Sequence, residues 1–178
     1  PNKGNVLYFT GCYDSFRYPE TARAVVAILK KGGIDPAYLG EEEWCCGLPQ
    51  LVNGHVDLAE RMMRHNVEAI KASGAEMVVT SCAGCYHALK SEYPKVLGEL
   101  PCKLVHVSEV IANLLEEGKI KFEKEIGKTV VYHDPCHLGR YEGVYDPPRY
   151  ALKNVPKLQL LEMLRNRENA WCCGGGGG

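Results

Sequence analysis

Short apolar blocks punctuate this chain, and stripes of helical period fill the spaces between them. Val6-Leu7-Tyr8-Phe9-Thr10-Gly11-Cys12 is a β-branched and aromatic, strand-like run ending on a cysteine. After Pro19, the residues Ala22, Val25, Val26 and Leu29 share one helical face, and Gly32-Gly33 ends that helix. Ala59, Met63, Val67 and Ile70 form a second stripe, stopped near Gly74. Met77-Val78-Val79-Thr80 is a short buried strand leading to Cys82, and Leu104-Val105-His106-Val107 is another. Ser108 is the expected N-cap of a helix carrying Val110, Ile111, Leu114 and Leu115. Strand and helix alternate, which predicts an α/β fold of Rossmann-like layers with largely parallel sheets. In such sheets ligands sit beyond the carboxyl ends of the strands, where Cys12, Cys82 and Cys136 are placed.

The pattern also repeats. Val130-Val131-Tyr132-His133-Asp134-Pro135-Cys136 has the design of the first run, and Trp44-Cys45-Cys46-Gly47 recurs as Trp171-Cys172-Cys173-Gly174. The offsets are 124 residues at the single cysteine and 127 at the pair. An internal duplication is the economical reading. The first copy spans residues 1–117, a Lys- and Glu-rich connection spans 118–128, and the second copy spans 129–178, incomplete at its C-terminus. The chain lacks an initiator Met and stops in five glycines, the look of a piece of a longer polypeptide.

Composition narrows the function. Lys and Arg number 21 against 22 Asp and Glu, which argues against a nucleic-acid binder held by phosphate neutralisation. No apolar run is long enough for a transmembrane helix, and no signal-peptide layout precedes the first strand. The outlying number is nine cysteines. A secreted disulfide scaffold fits poorly, because the chain is long and apolar and the count is odd. Cys12 is followed after 32 residues by Cys45-Cys46, and after 35 more by Cys82-Ala83-Gly84-Cys85. Alone, the C-x-x-C is shared by zinc sites, iron–sulfur sites and redox dithiols. A dithiol leaves three cysteines idle and zinc saturates at four ligands, so five convergent thiolates suit a polynuclear iron–sulfur centre better. Cys102 lies outside both motifs and reads as a buried small hydrophobe.

A single Cys, a Cys-Cys-Gly and then a C-x-x-C resembles the cysteine-rich domain of heterodisulfide reductases, where the set is usually present twice; the second copy here lacks its C-x-x-C. That domain recurs in iron–sulfur subunits of glycerol-3-phosphate dehydrogenase, glycolate oxidase and lactate-utilisation proteins. His133-Asp134-Pro135-Cys136-His137-Leu138-Gly139-Arg140 and Trp171-Cys172-Cys173 followed by five glycines look most like the catalytic-subunit branch of the reductases. The resemblance implies an iron–sulfur oxidoreductase subunit that reduces a disulfide of the coenzyme M–coenzyme B type. It implies a noncubane [4Fe-4S] cluster on Cys12, Cys45, Cys46, Cys82 and Cys85, with Cys136, Cys172 and Cys173 as cofactor ligands from the second copy. His133, His137 and Arg140 become candidates for proton transfer and substrate binding. Trp44 and Trp171 are candidate shields for a cluster. The implied partners are a small disulfide and other subunits of a redox complex, including a ferredoxin-type iron–sulfur domain and a membrane cytochrome b. The implied place is the cytoplasm or the inner face of the membrane. Electron transfer within a dehydrogenase complex and a zinc-binding structural module stand as the alternatives.

Overall fold

The apolar run at 6–9 becomes strand β1 (Val6–Phe9), buried through Leu7, Tyr8 and Phe9, as a parallel strand covered on both faces must be. A computed structural model describes residues 4–175, which divide into two units, 4–107 and 108–175. In the first unit β1 pairs in parallel with β2 (Met77–Thr80), and β2 with β3 (Lys103–His106). On the free side of β1, Ala37 adds a single bridge: Tyr8 N donates to Ala37 O at 2.8 Å and Ala37 N to Val6 O at 2.7 Å. The chain therefore leaves β1 outward to Ala37 and then crosses back over β1 to reach β2. Right-handed crossovers in opposite directions lie on opposite faces of the sheet. The loops after β1 and β2 consequently flank the point where the winding reverses, where open sheets leave a crevice.

The two faces are packed by the two predicted stripes. Helix α1 (Gly11–Phe16) is short, and α2 (Pro19–Lys31) starts on proline and stops at Gly32 as expected, burying Val25 and Leu29. After a 3₁₀ turn at Gly40–Glu42 come α3 (Leu48–Val52) and the long α4 (Val56–Ser73), which ends on the left-handed Gly74. Ala59, Met63, Val67 and Ile70 of α4 join Leu7, Phe9 and Val78 in one apolar cluster. At about 25 cal/mol per Å² this burial is the main stabilising term of the unit. Beyond β2, α5 (Ala83–His87), a π-helical turn (Ala88–Glu92) and α6 (Tyr93–Leu97) run on without a break. Pro94 explains the wide turn, since its ring would clash with the carbonyl four residues back and it has no N–H to donate.

Helix α7 (Val107–Glu116) starts on the last residue of the first unit and is otherwise part of the second. Ser108 is not its N-cap but lies buried inside the first turn, because β3 ends a residue sooner than its apolar run. Residues 118–128 contain no helix or strand. Strand β4 (Thr129–Val131) pairs in parallel with β5 (Gln159–Leu161), and α8 (Asp146–Lys153) lies between them in sequence. Both sheets are parallel, as the alternation predicts. Strand β4 nevertheless stops at Val131, well short of Cys136, since Pro135 cannot donate to a ladder and Asp134 turns inward to Arg149. No described helix is long and apolar enough to cross a membrane.

Candidate metal centre

Three loops of the first unit carry the five cysteines of the first copy. The loop after β1 turns through Gly11, whose φ of +77° favours glycine. A Cβ there would stand 2.9 Å from the Cys85 sulfur, so the backbone passes against a thiol too closely for any side chain. The Glu43 carboxylate accepts from Thr10 N at 3.0 Å and Gly11 N at 2.7 Å, fixing the turn that delivers Cys12. Burial pushes the Glu43 carboxyl up to about 7, with the two amide bonds opposing it.

The Glu43–Gly47 segment is held from beneath by α4 and α6. Trp44 N donates to Asn66 Oδ1 at 3.0 Å; Asn66 Nδ2 reaches Trp44 O at 3.2 Å and Cys45 O at 3.0 Å. Tyr93 Oη donates to Cys46 O at 3.1 Å and lies 3.1 Å from Asn66 Nδ2. Asn66 and Tyr93 are both 0% exposed, so these bonds have no competition from water. Gly47 (φ +81°) then starts α3, where a Cβ would meet Ala59 O at 3.1 Å.

Cys82 is the N-cap of α5, its sulfur accepting from Cys85 N at 3.5 Å. His106 Nε2 bonds Ser81 O at 3.1 Å, and Ser81 Oγ donates to Asp14 Oδ2, which steadies the residue before it. The five thiols form a chain. Cys12 Sγ lies 3.8 Å from Cys45 Sγ, the Cys45 thiol faces Cys46, and the single S–H of Cys85 is shared between Cys46 and Cys82. Cys46, accepting from Cys45 and Cys85, is held well below the usual thiol range. Its donors Cys45 and Cys85 are pushed up, and Cys82 is lowered to about 7 by the Cys85 thiol against the cost of burial. Exposure grades along the chain: Cys46 and Cys85 are buried, Cys45 and Cys82 half-buried, Cys12 exposed.

The donor set is all thiol. Among the described residues no three His, Cys, Asp or Glu side chains are arranged to close on one ion. A linear array of five sulfurs from three loops suits a polynuclear centre, whose irons are separate points, better than a single tetrahedral ion. Cys102 is outside the array. It packs at the edge of the apolar cluster, and burial alone raises its thiol.

In the second unit, His133 Nε2 donates to Trp171 O at 2.9 Å and Arg140 to Ala170 O, so both side chains hold the backbone that leads into Cys172-Cys173. Gly174 N donates to Cys172 Sγ and Gly175 N to Cys173 Sγ, each at 3.4 Å. Both cysteines are exposed and Cys136 is half-buried; among the described residues no thiol–thiol hydrogen bond joins these three. The His137 ring lies 5.6 Å from that of Tyr141. Gly176 to Gly178 lie outside the described residues. Trp44 stacks on His65 at 3.8 Å and remains 42% exposed; Trp171 carries the Arg165 guanidinium at 4.8 Å and is 70% exposed. Neither indole is buried over the sulfurs. Asn66, Tyr93 and Glu43 are the site residues that sequence reasoning missed. Asn66 did carry a signal, a polar residue on the apolar face of α4 beside Met63, Val67 and Ile70.

The profile of the cysteine-rich domain family named CCG matches residues 6–90 and 130–178. The dihydromethanophenazine:CoB–CoM heterodisulfide reductase of Methanosarcina acetivorans has a subunit that is 48% identical over 99% of this chain and 44% of its own length. Its counterpart in Methanosarcina mazei is 49% identical over the same shares. The EtfAB:quinone oxidoreductase of Syntrophomonas wolfei is 39% identical over 97% of this chain and 24% of its own length. The chain thus spans less than half the length of these curated relatives.

Proposed function

The chain belongs to the cysteine-rich CCG domain family, and from that premise we propose that it is part of an iron–sulfur oxidoreductase subunit that reduces a disulfide. The observation that carries this reading is the contiguous array Cys12–Cys45–Cys46–Cys85–Cys82 at the winding-reversal point of a parallel sheet. The substrate is a mixed disulfide of the coenzyme M–coenzyme B type, which takes up two electrons and two protons and leaves as two thiols. Electrons come singly from a ferredoxin-type iron–sulfur domain of the same redox complex, in the cytoplasm or at the inner face of the membrane. A noncubane [4Fe-4S] cluster bound by the five thiolates would supply one-electron steps and Lewis acidity toward sulfur.

The chain's own residues prepare that site. Cys46 and Cys85 anchor it in a dry interior, while Cys12, exposed on α1, leaves the outer end open to a small molecule. Backbone N–H groups of Gly47, Leu48 and Gly84 point at sulfur and favour thiolate over thiol. Cys136, Cys172 and Cys173 are the proposed second set of ligands. His133 and Arg140 act there by holding the cysteine-pair loop, and His137 is the remaining candidate for proton delivery.

Anaerobic loading with ferrous iron and sulfide, followed by iron analysis and electron paramagnetic resonance, tests the reading. We expect the wild-type chain to hold iron. Cys45→Ser, Cys82→Ser or Cys85→Ser should abolish loading, and Cys102→Ser should leave it unchanged. Zinc retained in place of iron by the wild type, or loss of iron in Cys102→Ser, would refute the assignment. A loaded full-length complex that passes electrons but never cleaves the disulfide would shift the function to electron transfer within a dehydrogenase.

A further inference from the structure

Two peptide units at the cysteine pair are gripped at their carbonyl ends. The Cys45–Cys46 peptide has its carbonyl on Asn66 Nδ2 at 3.0 Å, so its N–H, on the other side of the planar unit, points away from Asn66. The Cys46–Gly47 peptide has its carbonyl on Tyr93 Oη at 3.1 Å, and its N–H faces the Cys45 sulfur. Asn66 is itself fixed from two sides, its Oδ1 accepting from Trp44 N and its Nδ2 lying 3.1 Å from Tyr93 Oη. Both gripping side chains are fully buried. Without the grips either peptide could turn over, exchanging C=O for N–H and, in the Cys46–Gly47 unit, bringing oxygen lone pairs against the Cys45 sulfur.

We propose that Asn66 and Tyr93 are positioning residues for the metal centre: they fix the flip state of the two peptides, so that the carbonyls stay on the buried side and the Gly47 N–H dipole, not a carbonyl, faces Cys45. The inference rests on the iron–sulfur reading only for its redox consequence; the geometry of the grip is independent of which metal is held. Hydrogen bonds to sulfur are a principal lever on cluster potential, and a bond accepted at the carbonyl end strengthens the N–H donor of the same peptide. Loss of the grip therefore disfavours the reduced, more negative centre and moves its potential down.

Two variants and two readouts test it. Tyr93→Phe keeps the buried ring and removes only the hydroxyl; Asn66→Leu keeps the volume and removes every bond. Co²⁺ titration of the metal-free protein, followed by its sulfur-to-metal charge-transfer band, should show about 10- to 100-fold weaker binding in both variants, the range typical of lost outer-shell bonds. After iron and sulfide loading, Tyr93→Phe should reach wild-type iron content with a lower midpoint potential and an altered paramagnetic spectrum. A residue that merely stabilised the fold would lower the melting temperature and leave potential and spectrum alone. Wild-type Co²⁺ affinity and wild-type potential in Tyr93→Phe would overturn the proposal, even if Asn66→Leu fails to fold. Weakened Co²⁺ binding in both variants, with no iron held by the wild type, would sustain the positioning role and sink the iron–sulfur reading. Binding of neither metal by the wild type would sink both.

Discussion

Removing Arg149 should unfold the second unit's loop system, and the size of the effect follows from its bonds. The guanidinium is buried and uses all five N–H donors. Two go to Asp134 at 2.6 and 2.7 Å, two to Glu162 at 2.7 and 2.9 Å, and one to Tyr145 O at 2.8 Å. Asp134 also accepts from Arg167 N at 2.6 Å, so one buried pair ties the end of β4 to α8 and to the 162–167 segment. Arg149→Leu leaves a buried carboxylate with one amide for company, a change that costs about 3–5 kcal/mol. Asp134→Asn keeps the shape and leaves Glu162 to neutralise the cation, so about 1.5–3 kcal/mol is expected. Urea unfolding in a Trp44→Phe background isolates Trp171 and thus reports this unit alone. The pH dependence has a fixed sign. Burial alone would raise the Asp134 carboxyl, but Arg149 and the Arg167 amide outweigh it and hold it below the ordinary range; Glu162, more exposed, is lowered by Arg149 as well. A folded pKa below the unfolded one gives stability that is present above about pH 4 and lost as pH falls through the folded value. Asp134→Asn should therefore flatten the acid limb of the profile. An Arg149→Leu cost under about 1 kcal/mol, or an acid limb unchanged in Asp134→Asn, would refute the reasoning.

Two further outcomes concern the metal centre. Gly11→Ala should destabilise the first unit by about 1–2 kcal/mol from its left-handed backbone; a Cβ 2.9 Å from the Cys85 sulfur should also lower iron uptake on loading. Glu43→Ala frees the Thr10 and Gly11 amides, so their hydrogen exchange should speed up and unfolding should become easier by about 1–3 kcal/mol, read by mass spectrometry and urea titration.

Periodicity reported the parts of the fold that are governed by apolar burial. Met77–Thr80 became a strand with the predicted bounds, the run from Val6 became a strand that ends at Phe9, and Val25 and Leu29 of α2 and the stripe of α4 became buried faces. It misplaced the elements governed by polar pairing. The run from Val130 to Cys136 has the composition of β1, yet Val131 is 60% exposed and the ladder ends there, because Asp134 is claimed by an arginine fifteen residues away. The short helices α1, α3, α5 and α6 are only five or six residues long and carry no stripe to detect. Spacing singled out five thiols but could not single out Glu43 among three consecutive glutamates, since only the fold decides which one meets the Thr10 and Gly11 amides.

The two cysteine pairs are alike in their local chemistry more clearly than the strands before them are in their extent. In the first unit the sulfurs of Cys45 and Cys46 accept from the amides two residues on, Gly47 and Leu48. In the second, Cys172 and Cys173 accept from Gly174 and Gly175 at the same offset. In both, the carbonyl of the preceding tryptophan is held by a side chain: Trp44 O by Asn66 of α4, Trp171 O by His133 of the loop after β4. A cysteine pair can turn two consecutive N–H groups toward its sulfurs only if the carbonyls facing the other way find donors. The recurring Trp-Cys-Cys-Gly is therefore a backbone device as much as a set of ligands, and its supporting donor comes from different elements in the two copies. The support in the first unit is buried and that in the second is exposed, so thiolate preorganisation is built into Cys45-Cys46 more firmly than into Cys172-Cys173. The first site is accordingly the one expected to load metal at the lower free-ion concentration.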